Sequence, residues 1–254
     1  MIENKVNLIL IVFTEPDEQL FRECCIGVTN QSYPCFVSVI FDKKTPERIK
    51  NIAYEFPFDE YLYSPDHMSN KPALRHKWAY DQSQFKYIAF QQGDDQPYLS
   101  RIEQQMNVMQ TSKKQLGISF GGYYYVKDKD LEHGHRTHFQ YSPLHLFNVG
   151  YPSFWLLNKK LIPKLPLITG FTAPNEWEWD LFMLIEILKQ TESIILQETL
   201  GIYNQHSYNS TNTHCSENSK HQRLEELKEY FLTQKSKIKN IYFLDLNGKR
   251  TDNK

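Results

Sequence analysis

Apolar positions in the first third of the chain fall into short continuous runs separated by stretches of helical period. Val6 to Phe13 is an apolar run broken only by Asn7, as expected of a parallel strand covered on both faces. It stops at Thr14-Glu15-Pro16-Asp17. Beyond it Leu20, Cys24 and Val28 share one stripe, with Phe21 and Cys25 beside it, predicting a helix from Glu18 to about Asn30. Ser32-Tyr33-Pro34 turns the chain into a second strand, Phe36 to Phe41, which ends at Asp42. A further helical stretch, a short strand near Phe58 to Leu62 and a polar loop carrying Ser64, Pro65, Asp66 and Asn70 follow. A helix from about Pro72 to Gln84 then feeds a strand at Tyr87 to Phe90. Strands alternating with helices in this way predict right-handed crossovers and an α/β fold with a mostly parallel sheet.

The strand Tyr87-Ile88-Ala89-Phe90 runs through Gln91, Gln92 and Gly93 into two adjacent carboxylates, Asp94 and Asp95. Pro97 follows, and an amphipathic helix is expected from near Tyr98. A buried strand that ends in acids delivers them to the carboxyl edge of a sheet, where open α/β folds bind ligands. Two neighbouring carboxylates repel each other and persist best where a divalent cation compensates them. A polar turn that caps the next helix explains the same residues without a ligand.

The second half is less regular. Leu116 to Val126 reads as a strand broken by Gly121-Gly122. From Lys127 to His138 the chain is charged and histidine-rich, as in a mobile polar loop. The spacing His133-x-His135-x-x-His138 suits a metal, but no cysteine or carboxylate completes an obvious set. Val149 to Leu157 predicts a strand leading to Asn158-Lys159-Lys160. Leu181, Leu184, Ile185 and Leu188 predict a helix, and Ser193 to Thr199 another strand. Ser207 to Ser219 has loop composition. A charged amphipathic helix (Leu224, Leu227, Phe231) is expected from Lys220 to Asn240, with a further strand at Ile241 to Leu246.

Composition narrows the classes. The chain has 254 residues and a formal net charge of -1, so it can bury a large core and lacks the basic excess of a general nucleic-acid binder. It shows no apolar run of membrane-spanning length and no signal-peptide pattern. Its four cysteines lack zinc-site spacing, and reduced thiols in the cytoplasm are the expectation. The lysines of the tail leave open a peripheral contact with the inner face of a membrane, although nearby acids balance them and favour packing on the domain. No glycine-rich phosphate loop follows the first strand, and the chain holds only ten glycines. A bound nucleotide would need a metal or basic side chains at its phosphates.

Taken in order, these motifs resemble the family 2 glycosyltransferases of GT-A fold. The phrases that carry the resemblance are Asn30-Gln31-Ser32-Tyr33-Pro34, the strand ending at Asp42, and Tyr87-Ile88-Ala89-Phe90 followed by Gln92-Gly93-Asp94-Asp95. It covers roughly residues 6 to 206. The resemblance implies that Thr14, Glu15, Asp42, Arg75, Gln92 and Asp94 contact a nucleotide-sugar, with Lys71 second to Arg75. It implies further that Asp94, Asp95 and His206 serve a Mn²⁺ or Mg²⁺ ion. Gln92 stands where the family usually has an acid, and an amide still accepts from a ribose hydroxyl. The stretch Glu176-Trp177-Glu178-Trp179-Asp180-Leu181 is similar to the family's phrase that carries the catalytic base, which places Glu178 in that role and leaves Glu176 to replace a missing acid. Asn175-x-x-Glu178 is equally a helix capping spacing.

The expected protein is therefore a GT-A domain over 1–216, with a nucleotide-sugar half (1–97) and an acceptor half (98–216), and a C-terminal helical extension over 217–254. Its expected reaction is inverting, metal-dependent transfer from a UDP-sugar to a hydroxyl of a glycan or lipid-linked glycan. A nucleotidyltransferase or a non-catalytic nucleotide or sugar binder of the same fold are the alternatives.

Overall fold

The computed structural model describes residues 5–12, 16–69, 71–127, 129–136, 151–166, 179–205, 217–244 and 250–252. In chain order its strands and helices are β1 (Val6–Ile11), α1 (Glu18–Thr29), β2 (Cys35–Phe41), α2 (Glu47–Tyr54), β3 (Glu60–Tyr63), α3 (Pro72–Gln82), β4 (Tyr87–Gln92), β5 (Gln96–Pro97) and α4 (Arg101–Thr111). They continue as β6 (Leu116–Lys127), β7 (Asp130–Arg136), β8 (Leu156–Asn158), α5 (Trp179–Gln190), β9 (Glu192–Gln205), α6 (Glu217–Gln234), β10 (Ile241–Leu244) and β11 (Arg250–Asp252).

One sheet joins them in the order β11-β10-β9-β6-β8-β4-β1-β2-β3, with β5 on β9 and β7 on β6. The strands β1 to β4, β6, β9 and β10 run the same way, and β8 runs against both of its neighbours. The sheet is thus mostly parallel, as the alternation of apolar runs and helices predicts. Helices cover both faces. Phe21, Cys24 and Val28 of α1, Ile49 and Ile52 of α2, and Ile102 and Met106 of α4 share one apolar cluster. Tyr80 of α3, Leu184, Ile185 and Leu188 of α5, and Phe231 of α6 share the other. Aligned apolar stripes of this kind supply the main driving force for such a layered fold.

The structure departs from the sequence expectation in four places. Asp130–Arg136 is a strand paired with β6, where a mobile polar loop is expected. Polar bonds hold it: Arg136 donates to Gln197 O, and the Tyr124 hydroxyl donates to Gly134 O at 2.8 Å. Helix α4 starts at Arg101 rather than near Tyr98, because Gln96–Pro97 pairs with β9 and Tyr98 N donates to Leu200 O at 2.9 Å. Between Tyr151 and Asn158 the chain makes a short 3₁₀ turn at Pro152–Phe154, and only Leu156–Asn158 is strand. Strand β9 runs on past Thr199 to Gln205. The chain beyond residue 217 joins the common sheet, since β10 lies parallel to β9 and α6 packs on the α5 face.

Lys159 closes the amino edge. Its ammonium donates to Tyr80 O at 2.8 Å and Ser83 O at 2.5 Å, at the carboxyl end of α3, where a cation complements the helix dipole.

Candidate active site

Register brings three strand ends to one edge. Ile11 is opposite both Ile40 of β2 and Gln92 of β4, so Val12, Asp42 and the turn after Gln92 lie side by side, about 5 Å apart per strand. Two of the expected donor residues meet there. Asp42 and Arg75 form an ion pair at 3.2 Å, and both side chains are 1% exposed. The other carboxylate oxygen of Asp42 accepts from Lys44 N and Ser69 Oγ, each at 2.9 Å. Arg75 also donates to Val12 O at 3.0 Å, which ties the end of β1 to the end of β2 through α3. Burial lowers Arg75 from the usual guanidinium value, against the opposing pull of Asp42. Lys71, the second choice, is exposed at the start of α3.

The two acids after β4 have different surroundings. Asp95 is 1% exposed. One of its oxygens accepts from the Ser153 hydroxyl at 2.6 Å and the other from Asn204 N at 3.1 Å. Burial, and then the neighbouring Asp94 carboxylate, push Asp95 well above the usual carboxylate range. Asp94 is half-buried, and its backbone carbonyl accepts from the Asn204 side chain at 2.8 Å. Asn204 therefore clasps the acid turn twice. Gln92, also half-buried, is the last residue of β4, and its backbone N–H donates to Ser153 Oγ at 3.3 Å.

Behind the turn lies a network that pattern reading does not reveal. Arg101 is fully buried and donates to Gln91 Oε1 at 2.7 Å, Phe90 O at 2.8 Å and Trp155 O at 3.1 Å. Gln91 in turn donates to Asp95 O at 3.0 Å. Gln105 reaches Ser119 O and Phe154 O at 3.0 and 2.9 Å. The sequence signal is a run of polar residues, Gln91 and Gln92, continuing an otherwise apolar central strand, where only a hydrogen-bonded partner makes burial tolerable.

Tyr123, Tyr151, Phe154 and Tyr203 pack as one aromatic cluster, with Tyr151 and Tyr203 ring centroids 4.4 Å apart. Burial raises both Tyr123 and Tyr151, and the carboxylates of Asp180 and Asp95 add to that rise. The cluster thus connects the first turn of α5, which holds Asp180, with the acid turn. Glu176, Trp177 and Glu178 lie outside the described residues, as do Thr14, Glu15, Asn70 and His206; α5 begins one residue after Glu178. His133 pairs with Asp130 at 2.7 Å, and His138 is outside the described residues. Among the described residues no three His, Cys, Asp or Glu side chains group as a metal cage. Mn²⁺ and Mg²⁺ do not need one beside a diphosphate, because one or two carboxylates complete a shell made largely of water and phosphate oxygens. Asp94 fits that requirement, with Asp95 engaged on both oxygens as its support.

Gly201 lets β5 approach β9. A Cβ there would lie 2.4 Å from Gln96 O and 2.7 Å from the Phe154 ring. Gly201→Ala is therefore expected to cost roughly 1–3 kcal/mol of stability and to loosen the acid turn, as a lowered melting temperature with weaker donor binding will show.

No family model matches the chain, and no curated protein matches it. Solved structures do. Staphylococcus aureus TarS 1–349 in complex with UDP-GlcNAc superposes with a TM-score of 0.63 at 11% identity, over 91% of this chain and 66% of that one. The fold is that of the GT-A glycosyltransferases. The mannosyltransferase PcManGT of Pyrobaculum calidifontis, in complex with GDP-Man and Mn²⁺, has a TM-score of 0.52 at 13% identity, over 78% of this chain and 56% of its own. Glucosyl-3-phosphoglycerate synthase of Mycobacterium tuberculosis, with Mn²⁺, UDP and phosphoglyceric acid, has a TM-score of 0.57 at 9% identity, over 98% and 86%. This GT-A chain spans about two thirds of the TarS fragment and a little over half of the mannosyltransferase. No helix among its described residues is long and apolar enough to cross a membrane.

Proposed function

We propose that the protein is an inverting, metal-dependent glycosyltransferase that moves a sugar from a nucleotide-sugar, a UDP-sugar in the first instance, to a hydroxyl of a glycan or lipid-linked glycan. The observation that carries this reading is the convergence at one sheet edge of the buried Asp42–Arg75 pair and the clasped Asp94–Asp95 turn. In this proposal the Asp42–Arg75 corner receives the nucleoside, Thr14, Glu15 and Gln92 border the donor, and Asp94 holds the metal, with His206 as a further ligand. Asp95 is a positioning residue, because the Ser153 hydroxyl and Asn204 N–H fix its oxygens. Bound Mn²⁺ or Mg²⁺ would supply positive charge to the departing nucleoside diphosphate. Glu178 would take the proton of the acceptor hydroxyl, on the side of the sugar opposite the leaving group. Solved neighbours that carry UDP-GlcNAc, GDP-Man and Mn²⁺ support the donor class.

The test is thermal stabilisation by UDP, GDP and their sugars with and without Mn²⁺. A nucleotide at 100 times its dissociation constant adds about 2.7 kcal/mol. Asp94→Asn is expected to remove the Mn²⁺-dependent part of this gain while its melting temperature without ligand stays near wild type. Unchanged Mn²⁺-dependent affinity in Asp94→Asn overturns the assignment. Donor binding with no turnover on any acceptor or water would favour the non-catalytic binder.

A further inference from the structure

The edge of the sheet opposite the acids has a feature that neither the fold nor the proposed reaction requires. Six neighbouring strands, β10-β9-β6-β8-β4-β1, meet that edge in unbroken order. Each has lysine there. Lys235, Lys237 and Lys239 precede β10, Lys189 precedes β9, and Lys113 and Lys114 precede β6. Lys159, Lys160 and Lys164 follow β8, which runs the opposite way, while Lys86 precedes β4 and Lys5 precedes β1. Register keeps several of them level: Val6 is opposite Tyr87, and Lys159 N donates to Lys86 O at 2.8 Å. The row spans about 24 Å at the usual strand spacing.

Helix dipoles explain only part of it. Helix carboxyl ends gather at this edge and favour cations, and Lys159 serves α3 in that way. Lys189 lies in the last turn of α5 and pairs with Glu186 at 2.7 Å. The last turns of α1, α3 and α4 contain no basic residue. Lys5, Lys113, Lys114, Lys160, Lys164, Lys235, Lys237 and Lys239 are exposed and pair with no carboxylate among the described residues. Lys86 lies over the Tyr87 ring at 4.7 Å.

The acids that face this edge are engaged. Asp81 pairs with Lys77 at 2.5 Å, and Glu192 accepts from Asn240 and the Tyr242 hydroxyl. Asp59 and Glu60 lie at the far corner, where they accept from Val37 N and Ser38 Oγ. Neutral donors leave Glu192, Asp59 and Glu60 charged, but the eight exposed lysines without a carboxylate partner among the described residues outnumber them, so a chain of net charge -1 concentrates positive charge along one edge.

We infer that this lysine edge docks the protein on an anionic lipid surface. Every cation in the row is lysine, a mobile point charge suited to diffuse attraction, whereas bidentate recognition of a defined phosphate favours arginine. Leu232, 63% exposed, precedes the lysines at the end of α6 and offers an apolar side chain to the interface. The acid turn is at the other end of the strands, about 20 Å away for six residues of β4. Docking by this edge turns the site toward water, so the acceptor hydroxyl is presented from solution or from a chain long enough to reach around the domain.

Co-sedimentation of the full chain with vesicles tests this without any assay of transfer. Binding is expected to vesicles of phosphatidylcholine mixed with phosphatidylglycerol, to vanish on phosphatidylcholine alone, and to weaken steeply with salt. At roughly fivefold per lysine near such a surface, Lys113→Glu/Lys114→Glu and Lys237→Glu/Lys239→Glu should each lose at least tenfold. Lys43→Glu/Lys44→Glu, an equal charge change at the opposite edge, should bind as wild type, and melting curves confirm that all three variants fold. Absence of binding to the anionic vesicles, equal binding by the lysine-edge variants, or equal loss in the control pair overturns the proposal. So does binding of soluble polyphosphate by a chain that ignores the vesicles.

Discussion

Arg101→Met should lower stability by about 3–5 kcal/mol, a fall in melting temperature of roughly 10 °C for a chain of this size. Methionine keeps much of the volume but donates nothing. Gln91 Oε1, Phe90 O and Trp155 O would lose a charged donor at 2.7, 2.8 and 3.1 Å, inside a core from which water is excluded. Each buried acceptor left without a partner costs about 1–3 kcal/mol. The opposing gain is relief from holding a cation out of water, which already lowers Arg101 to about 9. That value still leaves it charged at neutral pH, so the gain only partly offsets the losses. Because Gln91 passes the contact on to Asp95 O, the folded fraction should also bind donor more weakly. Chemical denaturation read beside donor titration checks both effects. A melting temperature within two or three degrees of wild type would mean that the network is dispensable.

Glu178→Gln should reduce sugar transfer by roughly a hundredfold to ten-thousandfold, with stability changed by less than about 1 kcal/mol. Glutamine keeps the shape of glutamate and serves equally in a capping box, so a residue that only starts a helix would tolerate the change. A base would not, since the amide cannot take the proton. Donor affinity should hold, because the base acts on the acceptor. Asp180, in the same first turn, shares the tyrosine cluster with Asp95, so the phrase that contains Glu178 leads into the acid turn's surroundings. Full activity in Glu178→Gln transfers the role to Glu176 or Asp180. Joint loss of activity and stability returns Glu178 to a structural role.

The first half of the fold was legible because its physics is local. Leu8 to Val12 and Tyr87 to Phe90 are apolar without interruption, and the α1 stripe of Leu20, Cys24 and Val28 is buried throughout. The acids at the ends of β2 and β4 were visible for the same reason, as the first charges after buried runs. What was not legible depends on partners distant in sequence. Asp130–Arg136 has the composition of a loop, and only its pairing with Tyr124, Tyr125 and Lys127 makes it a strand. The different surroundings of Asp94 and Asp95 come from Ser153 and Asn204. Arg101 reads as one more polar residue at a helix start until Phe90, Gln91 and Trp155 close around it.

The clasp of Asn204 on the acid turn also sets an order of assembly. The bond from Asn204 N to Asp95 joins positions 109 residues apart, and such closures come late, since chain entropy must be surrendered before the contact rewards it. During synthesis β1 to β4 can pair as soon as they leave the ribosome, yet the turn they present waits for β9. A nascent chain that stops short of residue 204 would hold the correct carboxylates in an unclasped loop. Competence to bind donor should therefore arrive abruptly, with the last fifth of the polypeptide.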